Sequence, residues 1–413
     1  MIQEAKGYRW VVLASYTFVA FVSQLIWLNF AGIAEPQLTA IYNVGIDQVG
    51  YLAAFWPLVF IPLSIPTGLS TDRWGFKVNV AIGAGVISLF SWLRLLAGLN
   101  FNLLLLFQTL AGIGQPFVYN GISKMAGAWF ERGEQTLANG IGTMGQIAGM
   151  IASLVITPLM VPDAAYSELR YNMLVFALLS TVAFVLFASL AKEGRGDSNA
   201  PAKWRSVLHE MVSVGRKRNI ILLSFLFFIG VGIFSGLIQW TESILSSRGL
   251  SPFYASLVGA SMLLSGIAGM VIVSYLADRY RVLKTFVVLN SLITAIFLLL
   301  FSFNQSGVDY TFEAVMIGFF LLSLAPVGLQ ISLETVGEER SGSAASIVWL
   351  SSQVGALVLI LLMASFSRLI SGLSAPAWFY SVLFCSVLMF GAAGLGILLE
   401  DTRKKVNRMN QGG

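Results

Sequence analysis

Apolar residues fall along this chain in twelve blocks separated by short polar breaks. Each block is about 20 residues or longer, the length an α-helix needs to cross roughly 30 Å of hydrocarbon. Each therefore predicts a transmembrane helix, with spans at 9–35, 48–69, 78–99, 101–127, 136–161, 169–191, 219–246, 252–277, 284–303, 310–333, 342–368 and 374–399. One long polar segment, Lys192 to Arg218, interrupts the series after the sixth span. Its glycines, Asp197, Ser198, Asn199 and Pro201 predict a linker, with a short amphipathic helix around 204–214. The expected fold is an all-α membrane protein, with an N-terminal six-helix bundle (1–191), a cytoplasmic linker (192–218) and a C-terminal six-helix bundle with a short tail (219–413).

The polar breaks repeat. Gly68-Leu-Ser-Thr-Asp72-Arg73-Trp-Gly75-Phe-Lys77, between spans two and three, returns in weaker form as Ser274-Tyr-Leu-Ala-Asp278-Arg279-Tyr-Arg281 between spans eight and nine. The two Asp-Arg pairs lie 206 residues apart, half of the 413-residue chain. Glu131-Arg132-Gly133 after the fourth span is echoed by Glu339-Arg340-Ser341 after the tenth, and Gln146 in the fifth by Gln353 in the eleventh. Two parallel halves of this kind are a transporter architecture, with substrate held near the bilayer midplane.

Composition narrows the chemistry. The chain is 57% hydrophobic and 11% charged, with a mean hydropathy of +0.80, far outside soluble composition. A single cysteine, Cys385, excludes an internal disulfide and a cysteine-based metal cluster, and the single histidine, His209, lies in the linker. No catalytic residue, metal site or cofactor is expected. The net charge of +5 does not point to nucleic acid, because the bases are scattered through short loops. Of the 25 Lys and Arg residues, 21 fall on one set of alternate loops and only Arg94, Arg170, Arg248 and Arg368 on the other. The positive-inside rule then places both termini in the cytoplasm, with the chain a multi-pass protein of the plasma (inner) membrane, expected to be a monomer whose partners are the lipid bilayer and a small-molecule substrate.

The pattern G-x-x-x-D-R-x-G-x-K between spans two and three, with twelve spans and a central loop, resembles the major facilitator superfamily. The resemblance implies that Gly68 lets spans two and eleven approach and that Asp72 faces the positive end of span eleven. It also implies that Arg73 and Lys77 pair with acids closing span four, at Glu131. Gating would then rest on Gly68, Asp72, Arg73, Gly75, Lys77, Glu131 and Arg132, with Asp278, Arg279, Glu339 and Arg340 as the second copy. Phe76 departs from the pattern, which usually carries another base there. Trp27, the run Gly114-Gln115-Pro116-Phe117, Trp129-Phe130 and Gln146 also resemble the feline leukaemia virus subgroup C receptor family, associated with choline, ethanolamine and haem export. That resemblance implies an aromatic box for a quaternary ammonium, formed by Trp27 and Phe234, with Gln146 and Gln353 nearby. Phe234 lacks the hydroxyl of the family's tyrosine.

The residues themselves support a polar pathway, since polar groups inside hydrocarbon are costly and mark function by default. Candidates are Gln24, Trp27 and Asn29 in span one, Gln115, Tyr119 and Asn120 in span four, Gln146 in span five, Phe234, Gln239 and Trp240 in span seven and Gln353 in span eleven. For any one amide the alternative is an interhelical hydrogen bond, and for Trp240 it is an interfacial anchor. No acid lies in the middle of a span; Glu35 and Glu242 stand toward the outer ends as candidate coupling residues. An aromatic and amide pathway without charge suits a neutral or quaternary-ammonium solute, moved by a facilitator or a coupled carrier through alternating access. The alternatives are a proton-coupled carrier of organic anions or drug-like compounds, a membrane sensor, or a membrane enzyme. No enzyme motif such as H-E-x-x-H or G-x-S-x-G is present.

Overall fold

The computed structural model describes residues 2–33, 35–131, 134–163, 165–193, 211–280, 282–304, 309–337, 341–369 and 378–400. Among them, 12 helices are long and apolar enough to cross a membrane. Much of the predicted linker, including most of its amphipathic helix, lies outside the described residues, and residues 211–215 are helical. The chain divides into two compact units, Met1–Lys203 and Trp204–Gly413.

In the first unit, α1 (Ile2–Trp27) carries the first span and α2 (Glu35–Tyr42) is a short helix beyond it. The second and third spans, expected as separate helices, run together as α3 (Ile46–Leu96), broken only at Gly75, with φ 82 and ψ 167. That positive φ is left-handed backbone that glycine adopts without penalty. The fourth span, expected as one helix, is divided into α4 (Phe101–Gly112) and α5 (Gly114–Trp129). Pro116 explains the division: it has no N–H to give the carbonyl four residues earlier, at Gly112, and Ile113 N–H bonds instead to Leu110, three residues back, at 3.2 Å. The prolines of α3, Pro57, Pro62 and Pro66, introduce no non-helical residue. Helices α6 (Gln135–Met160) and α7 (Tyr166–Leu190) complete the unit.

The second unit holds α8 (Arg218–Ser246), α9 (Pro252–Tyr280), α10 (Leu283–Phe303), α11 (Asp309–Val336), α12 (Ser341–Leu369) and α13 (Phe379–Ile397). Its internal packing repeats the first. As α1 packs on α6, α8 packs on α12; as α3 packs on α5 and α7, α9 packs on α11 and α10 on α13. A methyl added at Gly149 on α6 would strike the carbonyl of Phe21 on α1, and one at Gly355 on α12 would strike that of Phe228 on α8. In lipid there is no water to expel from between helices, so close approach over small residues carries the association.

Hydroxyls complete the polar accounting. Ser91, Thr109, Ser224 and Thr241 each donate to the carbonyl four residues before them, at 2.6–2.8 Å. Within hydrocarbon such local bonds leave no polar group exposed to lipid.

Candidate functional site

In the first unit the predicted pathway residues lie on α1, α5 and α6 and in the turn just past α1. Gln24, fully buried, donates its amide to the Tyr119 hydroxyl at 3.2 Å. The Tyr119 ring stands edge-on to Phe60 of α3, with centroids 5.7 Å apart. Trp27, the last residue of α1, is 8% exposed, and its indole N–H donates to the Ala53 carbonyl of α3 at 3.1 Å. Gln115 on α5 and Gln146 on α6 are both buried. Asn29 lies just past α1, fully buried, and neither its oxygen nor its nitrogen has a partner.

Asn120 is drawn elsewhere. Its amide donates to the Ser64 carbonyl at 2.8 Å and the Thr67 hydroxyl at 2.7 Å, tying α5 to α3. That is the interhelical bond that was the alternative reading for a membrane amide.

The loop charges count Arg94 with the few bases of the outer side, and Gln108 lies on α4. The structure joins them. Arg94 is fully buried and donates through Nη1 to Gln108 Oε1 at 2.8 Å. Gln108 Nε2 in turn donates to the carbonyls of Ile26 and Trp27, at 3.3 and 3.4 Å. The guanidinium is thus linked to the carbonyl-rich C-terminal end of α1, where a positive charge is favoured. The Phe30 ring covers it at 5.9 Å. Tyr42, at the end of α2, has its phenol pushed up by burial and the nearby Tyr166, the Arg94 charge opposing the rise. It therefore stays a neutral O–H group. A 14-residue separation across a helix turn gave no local pattern by which to pair Arg94 with Gln108.

In the second unit, Gln239 is buried with its Oε1 unpartnered. Trp240 is 1% exposed, donates to the Ile360 carbonyl of α12 at 3.0 Å and lies 4.9 Å from the Trp378 ring, so it is a packed residue and not an interfacial anchor. Glu242 is buried and accepts from the Ser246 hydroxyl. Phe234 on α8 and Gln353 on α12 are half-buried. Phe234 follows Trp27 by 207 residues, the same offset that separates Gln353 from Gln146 and Phe228 from Phe21.

At the opposite end of the third span, the hairpin departs from expectation. Arg73 is exposed and forms no ion pair with a described residue, so the pairing of Arg73 with Glu131, itself exposed, is not made. The acid that meets the hairpin is Glu193, just after α7. Its carboxylate accepts from the backbone N–H groups of Phe76 at 2.8 Å and Lys77 at 3.0 Å, capping the helical stretch that restarts after Gly75. A side chain at Gly75 would collide with this carboxylate. Around it, Tyr8 O–H donates to the Leu190 carbonyl at 2.7 Å and Trp129 N–H to that of Lys192 at 3.0 Å. Arg9 binds Glu134 through both terminal nitrogens, at 2.6 and 3.0 Å. Gly68 lies 3.8 Å from the Asn120 amide when given a Cβ, and Arg279 is exposed, with Nη1 donating to the Tyr275 hydroxyl at 3.1 Å. The side chains of Glu35, Asp72 and Asp278 lie outside the described residues, as do Arg132, Glu339 and Arg340. Among the described residues no His, Cys, Asp and Glu group is arranged to hold a metal.

Comparison with known proteins agrees with this architecture. The chain is 24% identical over 380 residues to the Xenopus tropicalis protein solute carrier family 49 member A3, covering 87% of this chain and 78% of that one. It is 22% identical over 428 residues to a choline/ethanolamine transporter of Danio rerio, covering 96% and 85%. Among solved structures, the nucleoside transporter NupG superposes with a TM-score of 0.75 at 12% identity, covering 94% of this chain and 98% of that one. A bacterial homolog of the human lysosomal transporter Spinster superposes with a TM-score of 0.74 at 16% identity, covering 96% and 97%. The sequence profile of the Major Facilitator Superfamily matches residues 16–360. With its twelve apolar helices and repeated Asp-Arg hairpin, this chain belongs to the Major Facilitator Superfamily of solute transporters.

Proposed function

We infer that the protein moves a small organic solute, a quaternary-ammonium or neutral amine-type metabolite, across the cytoplasmic membrane by alternating access. The observation that carries this reading is the layer around Trp27. An indole fixed by its N–H bond to Ala53 stands beside the neutral Gln24–Tyr119 pair. A cation over such a ring gains about 0.5–2 kcal/mol. The names of the choline/ethanolamine relatives point the same way. A facilitator fits the lack of an acid in the middle of any span, and Glu242, buried in α8, is the observation that favours a coupled carrier instead.

The test is uptake of labelled choline and ethanolamine by the purified protein in proteoliposomes. Expected are saturable uptake and its acceleration by unlabelled substrate preloaded inside, which a channel or a sensor does not give. Trp27→Ala is expected to weaken affinity roughly 2- to 30-fold in a protein that still folds, with a lowered unfolding midpoint because the buried ring is lost. Affinity equal to the native protein would remove the aromatic box. An imposed pH gradient that accelerates uptake in the native protein but not in Glu242→Gln would establish the coupled reading.

A further inference from the structure

A guanidinium in a membrane-spanning helix has three usual ways to be satisfied. It pairs with an acid, binds carbonyls, or receives a ligand. Arg9 takes the first, with both terminal nitrogens on Glu134. Arg248 takes the second, with its terminal nitrogens on the carbonyls of Phe301, Asn304 and Ser302 at 2.7–3.5 Å. Each of these leaves only its Nε without a partner; Arg94 leaves a terminal nitrogen as well. Nη1 is held by Gln108, but Nε and Nη2 are buried with no partner, and no carboxylate among the described residues pairs with it.

Those two nitrogens are not an arbitrary pair. Their N–H bonds leave one edge of the planar group in parallel, the fork that matches the two oxygens of a carboxylate. Beside it, the Ile26 carbonyl that accepts from Gln108 also accepts the backbone N–H of Asn29, at 3.4 Å. Asn29 thus belongs to the same turn of chain, and its side-chain amide is wholly unpartnered. The groups left over at this spot are mainly donors, and what donors lack is an anionic acceptor.

We propose that the open edge of Arg94, with the Asn29 amide beside it, binds a carboxylate group within the first unit. Gln108 serves as the brace that holds the guanidinium by its other nitrogen. Arg94 is fully buried, with the Phe30 ring 5.9 Å from its guanidinium carbon, so the carboxylate enters when the non-helical turn at 28–33 opens. Two sources share this chemistry. The carboxylate is either part of the carried solute, whose ammonium end would rest on Trp27, or a free small carboxylate that stabilises the unit. The first source rests on the aromatic-box reading; the site itself does not.

The experiment uses the full-length protein in detergent, with sodium acetate, trimethylglycine and choline chloride titrated in thermal unfolding at constant ionic strength. A ligand of the folded state raises the midpoint, by an amount that grows with the logarithm of its concentration once that exceeds Kd. At least one of the two carboxylates is expected to do so, and Arg94→Gln and Asn29→Leu are each expected to weaken it about tenfold or more. Arg94→Lys, which keeps the charge and loses the fork, is expected to fall between. If trimethylglycine binds more tightly than acetate and Trp27→Ala weakens it too, the carboxylate belongs to the solute. Acetate that binds equally well and ignores Trp27→Ala identifies a free carboxylate. The proposal is overturned if neither carboxylate shifts the native protein, or if the shift survives in Asn29→Leu, which decides alone should Arg94→Gln not fold. Choline reports on the aromatic box separately: its failure beside a working carboxylate removes that box and leaves this site standing.

Discussion

Single residues in this protein are constrained either by what they touch or by what they lack. Gly149 and Gly355 belong to the first kind, because a methyl at either would meet a carbonyl of the neighbouring helix. Replacing Gly149 by Ala is expected to lower stability by about 1–3 kcal/mol, and Gly355→Ala by a similar amount, since the two contacts are counterparts. Detergent unfolding of each variant tests this, and an unchanged midpoint in either would mean that the helices part freely there. Asn29 and Arg94 belong to the second kind. Their chemistry is visible only once their neighbours are known, because an unpaired amide looks the same in a sequence as a paired one. Asn120 is the counterexample: it too was a polar residue in a membrane span, and it proves to be held by Ser64 and Thr67.

Among the elements, α3 is the most informative. It crosses the bilayer twice with one non-helical residue between, and the restart is capped by a carboxylate 116 to 117 residues away. Glu193→Ala is expected to cost about 0.5–2 kcal/mol, as loss of an N-terminal cap does. Gly75→Ala is expected to cost more, from the left-handed backbone as well as the collision with Glu193. The double variant should then be less destabilised than the two single losses added together. Strict additivity in denaturation experiments would separate the glycine from the carboxylate. The apolar blocks made all twelve spans legible, because a bilayer demands length and hydrophobicity and tolerates almost any order of apolar residues. The Asp-Arg hairpin was legible because its spacing is local. The acid that caps it, Glu193, was not legible, because it lies four spans further along and local spacing carries no trace of it. The division of α4 from α5 was in principle readable from Pro116, whose missing N–H falls on Gly112.

At the scale of the molecule, each six-helix unit has its own helix contacts, repeated in the other. Separate chains covering 1–203 and 204–413, expressed together, are accordingly expected to fold, to be isolated as a pair and to restore uptake. Halves that are degraded or never associate would show that the covalent link is needed for folding. The loop charges make a second prediction, the orientation. With the buried Cys385 replaced by serine, Asn100→Cys should react with an impermeant maleimide added to intact cells, and Lys77→Cys only after the membrane is opened. The reverse pattern would invert the topology.

The cap on α3 also orders events in time. Residues 76 and 77 leave the ribosome long before residue 193, by roughly 6–25 s at 5–20 residues per second. Through that interval the start of the third span has no carboxylate to receive its N–H groups, and the sixth span must be inserted before one arrives. A nascent chain stalled short of Glu193 would therefore hold a first unit that is threaded but not fastened. Quality-control proteases would be expected to reach it, and a residue made close to the end of the unit is the one that removes it from their reach.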